Sequence, residues 1–173
     1  MASQKLLDKS YIGCAYEIAK LSNAERKKVG AIIVSANGGI IAEGVNGTPP
    51  GFDNVCEEDN GKHAMVDGVY ICVNCNNDLS DLEYSMWDTF DKCLTTVPEV
   101  LHAESNAIAK LARSTNSSEG ATLYITCSPC YDCAKLIIQA GITRVVYDEQ
   151  YRNTMGIELL EKAKVMVEKL NDN

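Results

Sequence analysis

The chain has 173 residues, 46% of them hydrophobic, and a formal net charge of −8. That length suits one domain with a buried core, and no apolar run reaches the ~18 residues of a membrane-spanning helix. The acidity disfavours polymeric nucleic acid, whose phosphates are held mainly by Lys and Arg.

Met1-Ala2-Ser3-Gln4-Lys5 leads straight into a helical pattern with no apolar h-region, so a cytoplasmic protein without a signal peptide is expected. In that reducing compartment eight cysteines point to metal binding or catalysis rather than to disulfides.

Leu7, Tyr11, Cys14, Ala15, Ile18 and Leu21 recur at helical spacing and predict an amphipathic helix over 5–21. The β-branched run 29–34 predicts a strand. Asn37-Gly38-Gly39 is a hairpin turn signal, and 40–45 returns as the antiparallel partner. Gly and Pro punctuate a loop from Asn46 to Gly51. The segment 53–99 holds 11 acids and two bases, a net of −9, while the remainder has 13 acids and 14 bases. It reads as an acidic insertion of weak periodicity, with little core of its own, inside a single domain spanning 1–173.

Regular patterning resumes at His102, with a helix to about Ser114. A strand follows over 121–126. The next helix has Pro129 in its first turn and Gly141 at its end. A short buried strand over 144–147, a helix over 156–163 and a last strand carrying Val165, Val167 and Leu170 complete the chain. Strands joined by crossover helices predict an α/β fold, a mixed sheet covered by helices.

Two short motifs open helices: His102-Ala103-Glu104 and Pro129-Cys130-Tyr131-Asp132-Cys133. Zinc favours imidazole and thiolate, and cysteines three apart at a helix start can aim both sulfurs at one point. Helix N-termini also favour thiolates. Three protein ligands, His102, Cys130 and Cys133, leave a fourth position for water, whose pKa zinc lowers to about 7. Glu104 is then placed to take a proton from water and pass it to a ring nitrogen and a departing amine. His-x-Glu with Pro-Cys-x-x-Cys is the recorded signature of zinc deaminases. The competing reading is a structural zinc with a fourth protein ligand and a surface Glu104.

Four stretches carry a wider resemblance: Val29-Gly30-Ala31-Ile32-Ile33-Val34, Gly44-Val45-Asn46-Gly47-Thr48-Pro49-Pro50-Gly51, His102-Ala103-Glu104-Ser105-Asn106-Ala107-Ile108, and Ser128-Pro129-Cys130-Tyr131-Asp132-Cys133-Ala134. On these the chain resembles the deoxycytidylate deaminases of the cytidine deaminase superfamily. The resemblance implies a three-layer αβα sandwich around a five-stranded mixed sheet. It implies zinc-dependent attack at C4 of dCMP, giving dUMP for thymidylate synthesis, and ammonia, with Glu104 as proton shuttle. It further implies a substrate pocket drawn from Asn46, Ala103, Arg113, Ser128 and Tyr151, with Arg113 apt for the phosphate.

Hexamers activated by dCTP and inhibited by dTTP, with Mg²⁺ on the effector phosphates, also follow from the resemblance. The loop 47–54 is similar to an effector loop. Gly47 opens it, Phe52 is the candidate to stack on a base, and Asp53 or Asn54 would read its edge. Arg26, Lys27 and Lys28 would meet the triphosphate. The second, structural zinc of some relatives does not carry over, because Lys92 and Val100 stand where its ligands would be. From this sequence alone, Cys72 and Cys75 with Cys56 and either His63 or Cys93 form a candidate second zinc set; reduced thiols are the competing reading. Competing functions are deamination of free cytidine, a free base or a nucleotide within RNA, or nucleotide binding without turnover.

Overall fold

The computed structural model describes residues 3–59, 63–66, 69–72 and 94–170. Its frame is the expected mixed sheet of five strands, in the order β2-β1-β7-β8-β9. The strands are β1 (Gly30–Val34), β2 (Ile40–Val45), β7 (Thr122–Cys127), β8 (Arg144–Glu149) and β9 (Met166–Lys169). The remaining strands, β3 (Glu57–Asp59), β4 (His63–Val66), β5 (Val69–Cys72) and β6 (Leu94–Thr96), lie in the acidic segment. β1 runs antiparallel to β2 and to β7, whereas β7, β8 and β9 are mutually parallel. The parallel half needs crossover helices, and α3 (Tyr131–Gln139) and α4 (Met155–Lys162) supply them.

Strand alternation sorts the core into two layers. Ala31, Ile33, Leu123, Ile125, Val145 and Tyr147 face a cluster shared with α2 (Ala103–Leu111), α3 and α4. Ile32, Val34, Tyr124 and Val146 point to the other face, where Ile12 of α1 (Gln4–Ala19) meets them. Period two along each strand thus makes three layers from one sheet. Under α1, Arg144 makes a bidentate pair with Asp8, at 2.9 and 2.8 Å, and Tyr124 donates to the same carboxylate at 2.8 Å.

Two close approaches fix the helices that matter for the site. A Cβ on Gly44 of β2 would lie 2.2 Å from Ala103 O, so the start of α2 rests on bare backbone. A Cβ on Gly156 would lie 2.1 Å from Pro129 O, so α4 packs against the turn that carries Cys130.

The structure changes several expectations. The first helix ends at Ala19 rather than Leu21, and α2 at Leu111 rather than Ser114. Pro129 precedes α3, because Cys130 is the N-cap. β8 runs on to Glu149, and β9 is limited to Met166–Lys169. The described parts of the acidic segment are more regular than its composition suggests. β3 and β6 pair antiparallel at its base, and β4 and β5 form a hairpin. Three- and four-residue strands are too short to leave a periodicity.

Candidate active site

Two helix starts meet at the site. His102 is the N-cap of α2 and Cys130 the N-cap of α3, and neither side chain makes a capping hydrogen bond. Both are extended at the cap, and neither side chain is engaged with the N–H groups of its own helix. His102 Nδ1 lies 3.4 Å from Cys130 Sγ and 3.5 Å from Cys133 Sγ. Zn–S of ~2.3 Å and Zn–N of ~2.1 Å in a tetrahedron put such atoms roughly 3.6 Å apart, so the three donors fit zinc. Among the described residues they are the one His, Cys and carboxylate group so converged.

The electrostatics agree. A hydrogen bond from the Cys133 thiol, aided by His102, pulls Cys130 down to about 4 against burial. The same bond and burial push Cys133 up, and Cys130 raises His102. Without a metal one proton is thus shared between the two sulfurs, and zinc binding would release it, since both ligands must be thiolates.

Glu104 lies in the first turn of α2, 3% exposed. Burial raises its carboxyl to about 7, only partly offset by its own backbone N–H and by His102. A carboxyl of that kind suits proton transfer near neutral pH.

Glu104, His102 and Cys130 line a cavity of about 610 Å³. Asn46, Ala103, Ser128 and Tyr151, the residues that the resemblance assigns to a substrate pocket, line it too. Asn46 has a structural task there: its amide accepts from Val29 N and donates to Lys27 O, both at 2.8 Å. Ser128 Oγ accepts from Tyr151 N at 2.7 Å and so holds that tyrosine's backbone at the rim.

Other placements differ from the sequence reading. Arg113 does not reach the cavity of its own chain. It follows the C-cap Ala112, and nine residues at ~1.5 Å per residue carry it roughly 14 Å along the helix from Glu104. The basic groups on the cavity are Arg26, Lys27 and Arg152. Arg26 and Lys27, expected at an effector triphosphate, line this cavity, and so does Arg152, which the sequence did not single out. Lys27 Nζ donates to Glu149 at 2.7 Å and to Cys127 Sγ at 3.5 Å. Burial acts to lower Lys27, but these partners outweigh it and keep the cation. Cys127 is buried and also lines the cavity.

The loop carrying Phe52, Asp53 and Asn54 lies outside the lining, as does Lys28. Thr48 Oγ1 donates to Asp53 O at 3.2 Å, and Phe52 is 58% exposed. Gly47 bridges to Leu101, tying the loop's start to the residue before His102. Of the candidate second zinc set, Cys56 is buried and belongs to no group of three converging ligands among the described residues. His63 stands opposite Cys72 in the β4–β5 register. Cys75 and Cys93 lie outside the described residues.

Three ligands on two helix starts, a buried carboxyl beside them and a cavity above define a three-layer α/β zinc-site protein with the layout of a hydrolytic deaminase. Comparison with known proteins narrows the class. Residues 6–149 match the family described as the cytidine and deoxycytidylate deaminase zinc-binding region. The deoxycytidylate deaminase of Enterobacteria phage T4 is 37% identical, over 91% of this chain and 90% of that protein. That of Mycobacterium phage D29 is 34% identical, over 83% and 94%. The dCMP deaminase of cyanophage S-TIM5, solved in complex with dCMP and dUMP, superposes with a TM-score of 0.74. It is 38% identical, over 98% and 99% of the two chains. The chain belongs to the cytidine and deoxycytidylate deaminase family, as its motifs indicated.

Proposed function

We propose that this protein hydrolyses dCMP to dUMP and ammonia. The observation that carries the chemistry is buried Glu104 beside the converged His102, Cys130 and Cys133 at one cavity. The choice of dCMP is supported by the relatives and by three basic side chains, Arg26, Lys27 and Arg152, on that cavity. Zinc, when bound by the triad, supplies Lewis-acid activation of water at neutral pH. Glu104 takes a proton from the attacking water and delivers it to N3 of the cytosine as C4 becomes tetrahedral. It then carries the second proton to the exocyclic amine, so that ammonia departs and the carbonyl of uracil forms. One water is consumed and no redox change occurs. The basic groups hold the 5′-phosphate away from the reacting ring.

The finer expectations belong to the same proposal. They are a single domain over 1–173, a homo-hexamer, dCTP activation and dTTP inhibition with Mg²⁺ at the loop 47–54, and supply of dUMP for thymidylate synthesis. A second zinc on Cys72 and Cys75 with Cys56 and His63 or Cys93 is a separate proposal. Two zinc ions per chain by elemental analysis is the expected count, and one overturns it.

The test is the ultraviolet absorbance change of deamination with dCMP and with deoxycytidine, each with and without dCTP and Mg²⁺. Preferential turnover of dCMP, raised by dCTP, is the expected result. Comparable rates on both substrates would remove the phosphate contact and keep the zinc chemistry. No turnover by zinc-loaded protein would overturn the enzyme itself.

A further inference from the structure

Glu57 takes no part in the chemistry above, yet it lines the same cavity. It stands on β3, directly opposite Thr96 on β6, at the base of the acidic segment. Its neighbours Glu58 and Asp59 are exposed, but Glu57 is half-buried. Its carboxylate accepts from the backbone N–H of Glu25 at 3.0 Å and of Arg26 at 3.4 Å. Its cross-strand neighbour Thr96 accepts from the Arg26 guanidinium at 3.3 Å. One strand pair therefore grips Arg26 twice, by its main chain and by its side chain.

We propose that Glu57 is a positioning residue, which with Thr96 fixes Arg26 for the substrate's phosphate and makes the foot of the acidic segment part of the substrate site. The inference rests on the dCMP reading above. Arg26 sits in a loop outside any strand ladder, and its long side chain has much rotamer freedom to lose on binding. Holding it in place beforehand removes that cost from the binding step. A carboxylate beside an anion site would normally repel the anion. Here its charge is taken up by two main-chain donors, with Arg26 adjacent.

The experiment is steady-state kinetics on dCMP and deoxycytidine for zinc-loaded wild type, Glu57→Ala, Glu57→Gln, Arg26→Ala and the double variant Glu57→Ala/Arg26→Ala. Glu57→Ala should raise KM for dCMP roughly tenfold, the scale of one lost hydrogen bond to a charged group, with a smaller change in kcat. Deoxycytidine kcat/KM should fall by less. Glu57→Gln keeps an acceptor oxygen and should recover most of the loss. The double variant should be no worse than Arg26→Ala, because a positioning residue has nothing left to position. Additive losses, equal losses on both substrates, or no recovery with Gln would each overturn the proposal. An Arg26→Ala enzyme with unchanged KM for dCMP would instead show that the phosphate reading beneath it is wrong, and the inference falls with it. If Glu57→Ala does not fold, Thr96→Val with Arg26→Ala poses the same additivity question from the other strand.

Discussion

His102 and Glu104 stand two residues apart at one helix start, and the cap geometry gives them different work. His102 is the N-cap, its ring makes no capping bond, and it meets the cysteines instead. Glu104 is already helical and buried, lining the cavity without joining the ligand group. Glu104→Ala is therefore expected to retain zinc and lose at least about a hundredfold to ten-thousandfold in kcat. Metal analysis beside the rate checks both halves; loss of zinc with the carboxyl would make Glu104 structural. Cys130→Ala, by contrast, should lose the metal and the activity together.

At the scale of elements, the site depends on backbone contacts that no side chain advertises. Gly156 lets α4 lie against the carbonyls of Pro129 and Cys130. Gly156→Ala should lower stability by about 1–3 kcal/mol, as overpacking does, and should also weaken zinc retention by shifting Cys130. Urea unfolding and competition with a chelator measure the two effects. Gly13 is the contrasting case, mid-helix in α1 with open space around it. Gly13→Ala should stabilise the protein by about 0.8–1 kcal/mol through helix propensity, with zinc retention unchanged.

Across the whole molecule, the Asp8–Arg144 pair ties the first helix to a strand 136 residues later. Burial alone would raise Asp8, but hydrogen bonds from Arg144, Gln4 and Tyr124 outweigh it and leave the carboxyl below its ordinary value. A carboxyl depressed on folding stabilises above its unfolded pKa of about 3.9, and that contribution disappears as pH falls through the lower folded value. Asp8→Asn should cost on the order of 1.5–3 kcal/mol at pH 6, because Arg144 loses its more buried carboxylate partner and is left with the more exposed Glu168. Denaturation of both proteins should show the gap constant above about pH 5 and shrinking below pH 4. Zinc links the two helix starts in the same global sense. Free zinc at a hundred times its Kd should add about 2.7 kcal/mol of stability, seen as a fall in Tm on chelation.

The sequence by itself determined the sheet, its helices and the His102, Cys130 and Cys133 group with Glu104 beside it, because each leaves a local mark. β-branched runs and helical spacing encode burial on one face, and His102, Glu104, Cys130 and Cys133 sit at fixed offsets from helix starts. Only the tertiary structure decided what shares a cavity. Arg26 and Lys27 look like a solvated basic turn, and Glu57 like one acid among many, until β3 and β6 close beneath them. Arg113 carries the right chemistry for a phosphate but follows a helix that runs away from the cavity of its own chain. Lining a cavity depends on contacts between residues far apart in the chain, and those contacts have no period to read.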